Sequence, residues 1–193
     1  MTSLFLVVFF SYFLGNVFPS LILSRVRGYG DVRHKGSGNL GASNVWRSGH
    51  RLDGVITFLG DAAKGFLSLL IAYAIEPSSF ILGCASVSVL IGHIWPVSLG
   101  FKGGKGVATF FGIMAFYAWP LALMFVTFWA LICALSRTAS WASLIVALMA
   151  PFLFGVLLDA GVGIWVGCMS FLIIIAHRDN ILRLMHHKEH TVS

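Results

Sequence analysis

The stretch GVATFFGIMAFYAWPLALMFVTFWALICAL, Gly106 to Leu135, runs without a single charged residue, and its reading decides the fold. A helix needs about 20 apolar residues to cross a bilayer core. This run is too long for one ordinary crossing, and Trp119-Pro120 stands near its middle. Proline inside a helix removes a donor and crowds the preceding turn, so it marks either a kink or a turn between two shorter helices. The choice sets the number of crossings, and with it the side on which everything downstream emerges.

The rest of the chain fits a membrane setting. Of 193 residues, 58% are hydrophobic and only 10% are charged, and the mean hydropathy is +0.90. A soluble domain usually carries about 25% charged residues. A chain this poor in charge cannot cover a water-facing surface, which points to an integral membrane protein. Seventeen Phe and six Trp suit lipid contact and interfacial anchoring. Cys84, Cys133 and Cys168 all lie in apolar runs and are expected as buried small hydrophobes, not as a disulfide or a metal site. The first apolar run, Ser3 to Leu23, lacks a basic leader and a small-x-small cleavage site and is followed by Arg25 and Arg27. It is expected as a retained helix ending on a basic, cytoplasmic flank.

Candidate helices cover roughly 3–23, 54–75, 79–99, 106–135, 139–157 and 160–176. With 106–135 as one helix, six crossings put Arg178, Arg183 and Lys188 on the side opposite Arg25, against the positive-inside tendency. Fusing 139–176 instead gives five crossings and leaves Arg137 outside. Splitting the long run at Trp119-Pro120 gives seven. Arg25 to Arg51, Lys102, Lys105, Arg137 and the tail then share one side, and the other side receives Glu76 and Asp159 with no Lys or Arg. The expected fold is therefore an all-α polytopic membrane helix bundle of seven transmembrane helices. Its N-terminus is outside, its C-terminus cytoplasmic, and residues 1–193 form one membrane-embedded domain. The helix over 106–118 would be short.

That topology gathers three polar stretches, 28–53, 100–106 and 177–190, at the cytoplasmic edge. The first contains GSGNLGASNVWR, Gly36 to Arg47, with no acid in it. Gly36, Gly38 and Gly41 allow backbone amides to approach a ligand; Ser37, Asn39, Ser43 and Asn44 add neutral donors; Arg47 adds a planar fork suited to phosphate. The second, GFKGGKG, brings Lys102, Gly103, Gly104, Lys105 and Gly106 to the start of a helix, an arrangement that favours anions. It is not a Walker A loop, because Leu99 stands at the first glycine position and Gly106 follows the lysine instead of Ser or Thr. The third, HRDNILRL, spaces His177, Asn180 and Arg183 three apart, on one face if the helix continues. His177 and Asn180 are candidates to position a nucleophile.

Ser140 and Ser143 add hydroxyls at the same edge, or simply open a helix. Asp61 and Lys64, one turn apart within a span, fit mutual neutralisation inside the bundle. Gly163 and Gly167 fit helix packing. Seven scattered acids supply no carboxylate cluster for Mg²⁺, which argues against metal-dependent phosphoryl transfer and calls for no metal or cofactor. No His stands five residues before an Asp, so the HxxxxD acyltransferase spacing is absent.

Taken together, GSGNLGASNVWR, GHIWPVSLGFKGGKGVAT (Gly92–Thr109) and HRDNILRL resemble the bacterial acyl-phosphate:glycerol-3-phosphate acyltransferases, membrane enzymes of phospholipid synthesis. The resemblance extends over nearly the whole chain and includes GDAAKG, Gly60 to Gly65. It implies transfer of a fatty acyl group from acyl-phosphate to the sn-1 hydroxyl of glycerol 3-phosphate, giving lysophosphatidic acid and phosphate at the cytoplasmic face of the inner membrane. It places Ser37, Arg47, Lys105, His177 and Asn180 at the active centre and associates the glycine-lysine loop with glycerol 3-phosphate. Three positions depart from the family pattern: Ser43 for threonine, Ser98 for phenylalanine, and His187 for the glycine that usually precedes the tail glutamate, here Glu189.

The chemistry of these residues is consistent with such a reaction. Acyl-phosphate is an activated anhydride, so no covalent enzyme intermediate is required. Arg47, Lys105 and the loop amides would hold phosphate, while His177 and Asn180 orient the hydroxyl. Either His177 or a substrate phosphate could take the proton. A phosphate-ester transporter would need polar residues through both halves of the membrane and an inverted repeat, and neither is present. A scaffold binding anionic lipid would explain the net charge of +6 but not the glycine loops. The expected partners are the two substrates and the lipid bilayer, with no nucleic acid and no obligatory protein partner.

Overall fold

A computed structural model describes residues 1–191. Among them there is no strand, and nine α-helices follow in chain order. These are α1 (Thr2–Gly15), α2 (Pro19–Val26), α3 (Ala42–Arg47), α4 (Arg51–Ile75), α5 (Ser79–Ile94), α6 (Val107–Ser136), α7 (Ala139–Leu157), α8 (Ala160–Ala176) and α9 (Arg178–Met185). Five segments are long and apolar enough to cross a membrane, the first being Thr2–Val26 taken through its break. A sixth is added if α8 and α9, bent by 59° to one another, count as one span.

The long apolar run is two helices. Ala118 has extended backbone (φ −159°, ψ 92°) just ahead of Trp119-Pro120. In a straight helix Phe111 and Trp129 would be about 27 Å apart at 1.5 Å per residue. Their ring centroids lie 6.2 Å apart, and both rings pack on Phe58 of α4. The chain therefore folds back at Ala118, and 107–117 and 119–136 run antiparallel. Pro120 thereby falls in the first turn of the second helix, where its missing N–H leaves no helical hydrogen bond unmade.

The first apolar run differs from its expectation as a single helix over 3–23. It breaks between Gly15 and Pro19, with Phe18 extended (φ −117°, ψ 99°) before the proline. The break frees backbone carbonyls inside the protein, and Lys64 of α4 serves them. Its Nζ donates to the Gly15 carbonyl at 3.0 Å and the Val17 carbonyl at 2.6 Å. Lys64 also pairs with Asp61 at 2.8 Å, so it does more than neutralise its neighbour.

Glycine sets how closely the helices pack. A Cβ on Gly112 would lie well inside 3 Å of the Ala62 carbonyl, and one on Gly65 also inside 3 Å of the Thr109 carbonyl. The first half of α6 thus meets α4 backbone to backbone. Gly83 of α5 faces the Trp165 ring of α8, and Gly163 of α8 lies against Gly155 and Pro151 of α7, the helix packing expected of it. The main core runs through α4 to α8 and includes Leu69, Val89, Ile113, Phe125, Phe154 and Met169. A smaller cluster, Phe18, Val32, Leu40 and Val45, pins the polar 28–47 segment onto the bundle end. The cysteines are not buried as expected. Cys84 and Cys133 are half-buried, and Cys168 is exposed on the apolar surface of α8.

Candidate active site

The first polar stretch is shaped from within. Asn44 is fully buried and accepts at Oδ1 from the Ser37 amide (2.9 Å) and the Ser37 hydroxyl (3.2 Å). Its Nδ2 donates to the Val32 carbonyl at 3.0 Å. Gly36 and Gly38 sit in left-handed backbone (φ +56° and +71°), and a side chain on Gly36 would collide with the Asn44 amide. Arg47 Nη2 donates to Ser37 Oγ at 3.1 Å. Asn44 and Ser37, expected to meet substrate, are spent holding the loop and aiming Arg47.

The second stretch divides in two. The Gly103 and Gly104 amides donate to the Ile94 and His93 carbonyls (3.1 and 3.0 Å), so they close the end of α5 and are not free for an anion. Lys102 is exposed and stands away from the pocket. Lys105 and Gly106 do line it, with Val107 and Ala108 of the first turn of α6. Gly106 takes the left-handed N-cap position (φ +79°) with no side-chain cap, leaving the first-turn amides of α6 as uncommitted donors.

These residues enclose a polar pocket with Asn39, Gly41, Ser43, Arg47, Ser140, Ser143, His177 and Asn180. His177 sits in the bend between α8 and α9, where Nδ1 lies 2.8 Å from the Ile173 carbonyl. A carbonyl only accepts, so Nδ1 carries the proton and neutral Nε2 keeps its lone pair. Asn180 donates from Nδ2 to Glu189 at 2.8 Å, while its buried Oδ1 has no partner among the described residues. Ser140 Oγ is likewise buried and unpartnered among the described residues. Ser143 differs: it donates to the Ala139 carbonyl at 2.7 Å and accepts from Trp129 Nε1 at 3.0 Å, so its hydroxyl is occupied.

Burial, opposed by Glu189 and Asp179 and aided by the neighbouring Arg183 and Arg47, lowers the Lys105 pKa to about 8. Burial also lowers that of Arg47, again opposed by Glu189; a guanidinium keeps its charge regardless. The pocket thus holds two desolvated cations that Glu189 offsets only in part, which favours a phosphate guest.

Glu189, Asp61, His93, Phe58 and Trp129 also line the pocket, although sequence reasoning did not assign them to the site. Glu189 appeared only as a tail position, yet its side chain is nearly buried and bridges Asn180 and Arg183 (3.1 Å). Asp61 was visible as an ionisable group within a span. Nothing in the sequence marked Phe58 or Trp129.

An apolar groove of about 460 Å³ adjoins the polar pocket. Ala42, Ser43, Phe58, Trp129 and Ala139 line both, and the groove continues past Trp46, Val55 and Cys133. A polar, cationic pocket and a groove of lipid character therefore share one wall.

Comparison with known proteins identifies the family. A family model described as glycerol-3-phosphate acyltransferase matches residues 5–187. The glycerol-3-phosphate acyltransferase of Mesorhizobium japonicum is 41% identical over 95% of this chain and 93% of its own. That of Shewanella oneidensis is 41% identical over 97% and 92%. Crystal structures of PlsY, an integral membrane glycerol 3-phosphate acyltransferase, superpose with a TM-score of 0.89 at 36% identity. They cover 99% of this chain and 96% of PlsY in its glycerol 3-phosphate form, 95% in its lysophosphatidic acid form. The chain, an integral membrane protein by this likeness and its apolar helices, belongs to the glycerol-3-phosphate acyltransferase family.

Proposed function

We propose that this protein transfers a fatty acyl group from acyl-phosphate to the sn-1 hydroxyl of glycerol 3-phosphate, at the cytoplasmic edge of a bacterial inner membrane. One observation carries the reading: the cationic pocket and the apolar groove meet at Ser43, Phe58 and Trp129. A donor with a phosphate head and an acyl tail has each end placed in a matching environment at that junction. The reading takes each half of α6 as a crossing, giving seven, with the N-terminus outside.

Arg47, Lys105 and the first-turn amides of α6 hold the two phosphates. His177 Nε2 and Asn180 Oδ1, both acceptors, orient the glycerol hydroxyls, and Ser140 Oγ is a free donor beside them. The sn-1 oxygen attacks the acyl carbon, the bond from that carbon to the phosphate oxygen breaks, and phosphate leaves with its charge offset by the cations. The hydroxyl proton passes to His177 Nε2 or to a phosphate oxygen and ends on released phosphate. The acyl chain stays in the groove, between Val55 of α4 and Cys133 of the second half of α6.

The test is phosphate release from palmitoyl-phosphate by the purified protein in detergent. Release that depends on glycerol 3-phosphate, with lysophosphatidic acid as product, is expected. Release without glycerol 3-phosphate would make the activity a hydrolysis instead.

Lys105 gives the reaction a pH signature. With a pKa of about 8, its ammonium is intact below that pH and lost above it. Glycerol 3-phosphate remains dianionic there, so kcat/KM, which reports the free enzyme, falls above about pH 8. Lys105→Arg moves that limb upward by keeping the charge. An unchanged limb in Lys105→Arg would assign it to another group.

A further inference from the structure

A buried polar chain, whose Asp61 and His93 reach the pocket wall, is not used by the reaction scheme above. Lys64, Asp61 and His93 are each at most 4% exposed. Lys64 joins the α1–α2 break to Asp61, and Asp61 Oδ1 lies 3.5 Å from His93 Nδ1. The same Nδ1 lies 3.4 Å from Thr109 Oγ1, in the first turn of α6. On its other side the ring is the wall against which Gly104 packs: a Cβ there would fall well inside 3 Å of His93 Nε2. The His93 carbonyl accepts from the Gly104 amide at 3.0 Å. His93 thus grips the glycine-lysine loop at Gly104 and again at Thr109, and Lys105 with the free first-turn amides lies between those two points.

We propose that the Lys64–Asp61–His93 chain positions the Gly104–Thr109 segment, and through it Lys105 and the first-turn amides of α6, for the phosphate of glycerol 3-phosphate. This rests on the reading that the loop binds that phosphate. Lys64 and Asp61 supply rigidity. Each is desolvated and held by the other, so His93 is tied to a fixed ion pair that is also anchored to two backbone carbonyls. An anion site built from amides and one lysine depends on donor placement to within about half an ångström. The scaffold that fixes its height therefore acts on binding of this substrate, not on the acyl chain or on His177 and Asn180 across the pocket. His93 is a positioning residue in this scheme. The tightness at Gly104 also makes the coupling two-way: whatever moves the ring moves the loop, and a bulkier residue 104 moves the ring.

Steady-state kinetics with each substrate varied, together with direct titration of glycerol 3-phosphate into the purified protein, tests the idea. Truncation by His93→Ala is expected to raise the KM and Kd for glycerol 3-phosphate about tenfold, the scale of one lost positioning interaction, while the KM for palmitoyl-phosphate stays within about threefold. His93→Gln, which retains a side-chain hydrogen-bonding group, recovers most of the loss. Gly104→Ala alone is similarly damaging. Combined with His93→Ala it adds less than about threefold, because the missing ring vacates the space the new methyl needs. Thr109→Val, close to isosteric, raises the same KM by about threefold and serves where His93→Ala folds poorly.

Equal rises in both KM values, with no recovery in His93→Gln, would make the chain a general structural brace and overturn the proposal. So would multiplicative effects of the Gly104 and His93 changes. Failure of the wild-type protein to bind glycerol 3-phosphate at all would instead strike the functional reading on which the proposal rests.

Discussion

Arg47→Ala is expected to lower kcat/KM by about 10² to 10³, the cost of removing one preorganised charged donor from a developing negative charge. Arg47 lies half-buried in the pocket wall, aimed by its bond to Ser37 Oγ at 3.1 Å, while Asn44 holds Ser37 in turn. The site pays nothing at the moment of reaction, because the loop has already fixed the guanidinium. Arg47→Lys recovers only part of the rate, since an ammonium keeps the charge but loses the planar fork. Asn44→Ala acts through the same group at one remove and lowers the rate less than Arg47→Ala does. Phosphate-release kinetics on the three variants check the order. An Arg47→Ala enzyme with both KM values and turnover intact would remove Arg47 from the site.

Gly112→Val is the substitution with the largest expected effect on the fold. The added Cβ would meet the Ala62 carbonyl of α4, a backbone atom with no rotamer to move into. Overpacking of this kind costs about 3 kcal/mol at the upper end of the usual range, and about 10 °C in Tm for a chain of this size. Gly167→Ala is the control, because a Cβ there finds only Pro151 Cβ at 3.8 Å, an ordinary contact. Thermal unfolding in detergent should separate the two variants clearly. Similar Tm values would show that α4 and α6 part without loss of the core. The cost also bears on activity: α4 and the first half of α6 together carry Phe58, Asp61, Val107 and Ala108 to the pocket.

Much of the site was visible because a lipid-facing chain has few polar residues to spend. Where Arg47, Lys105, His177 and Asn180 cluster in such a chain, their chemistry stands out against the apolar background. The reversal at Trp119-Pro120 was legible for a similar reason, since proline breaks a helix whatever surrounds it. The break before Pro19 rests on the same chemistry, but the first run was short enough to be read as one span. Glu189, Phe58 and Trp129 were not legible, because a tail glutamate and two aromatics among many acquire a role only from what folds against them.

The division between sequence and structure runs through the loops themselves. The amino-acid sequence by itself determined that the chain is a membrane helix bundle and that its hydrogen-bonding groups gather in a few loops, and it pointed to an anionic guest there. These follow from composition and charge, which are properties of residues one at a time. Only the tertiary structure decided which of those groups remain free to act. Asn44, Gly103, Gly104 and Ser143 look like ligand donors in sequence but already donate to the carbonyls of Val32, Ile94, His93 and Ala139. Asn180 Oδ1 and Ser140 Oγ are left open. A hydrogen-bonding group already paired in the folded protein has little left to offer a substrate, and that pairing is set by contacts between residues far apart in the chain.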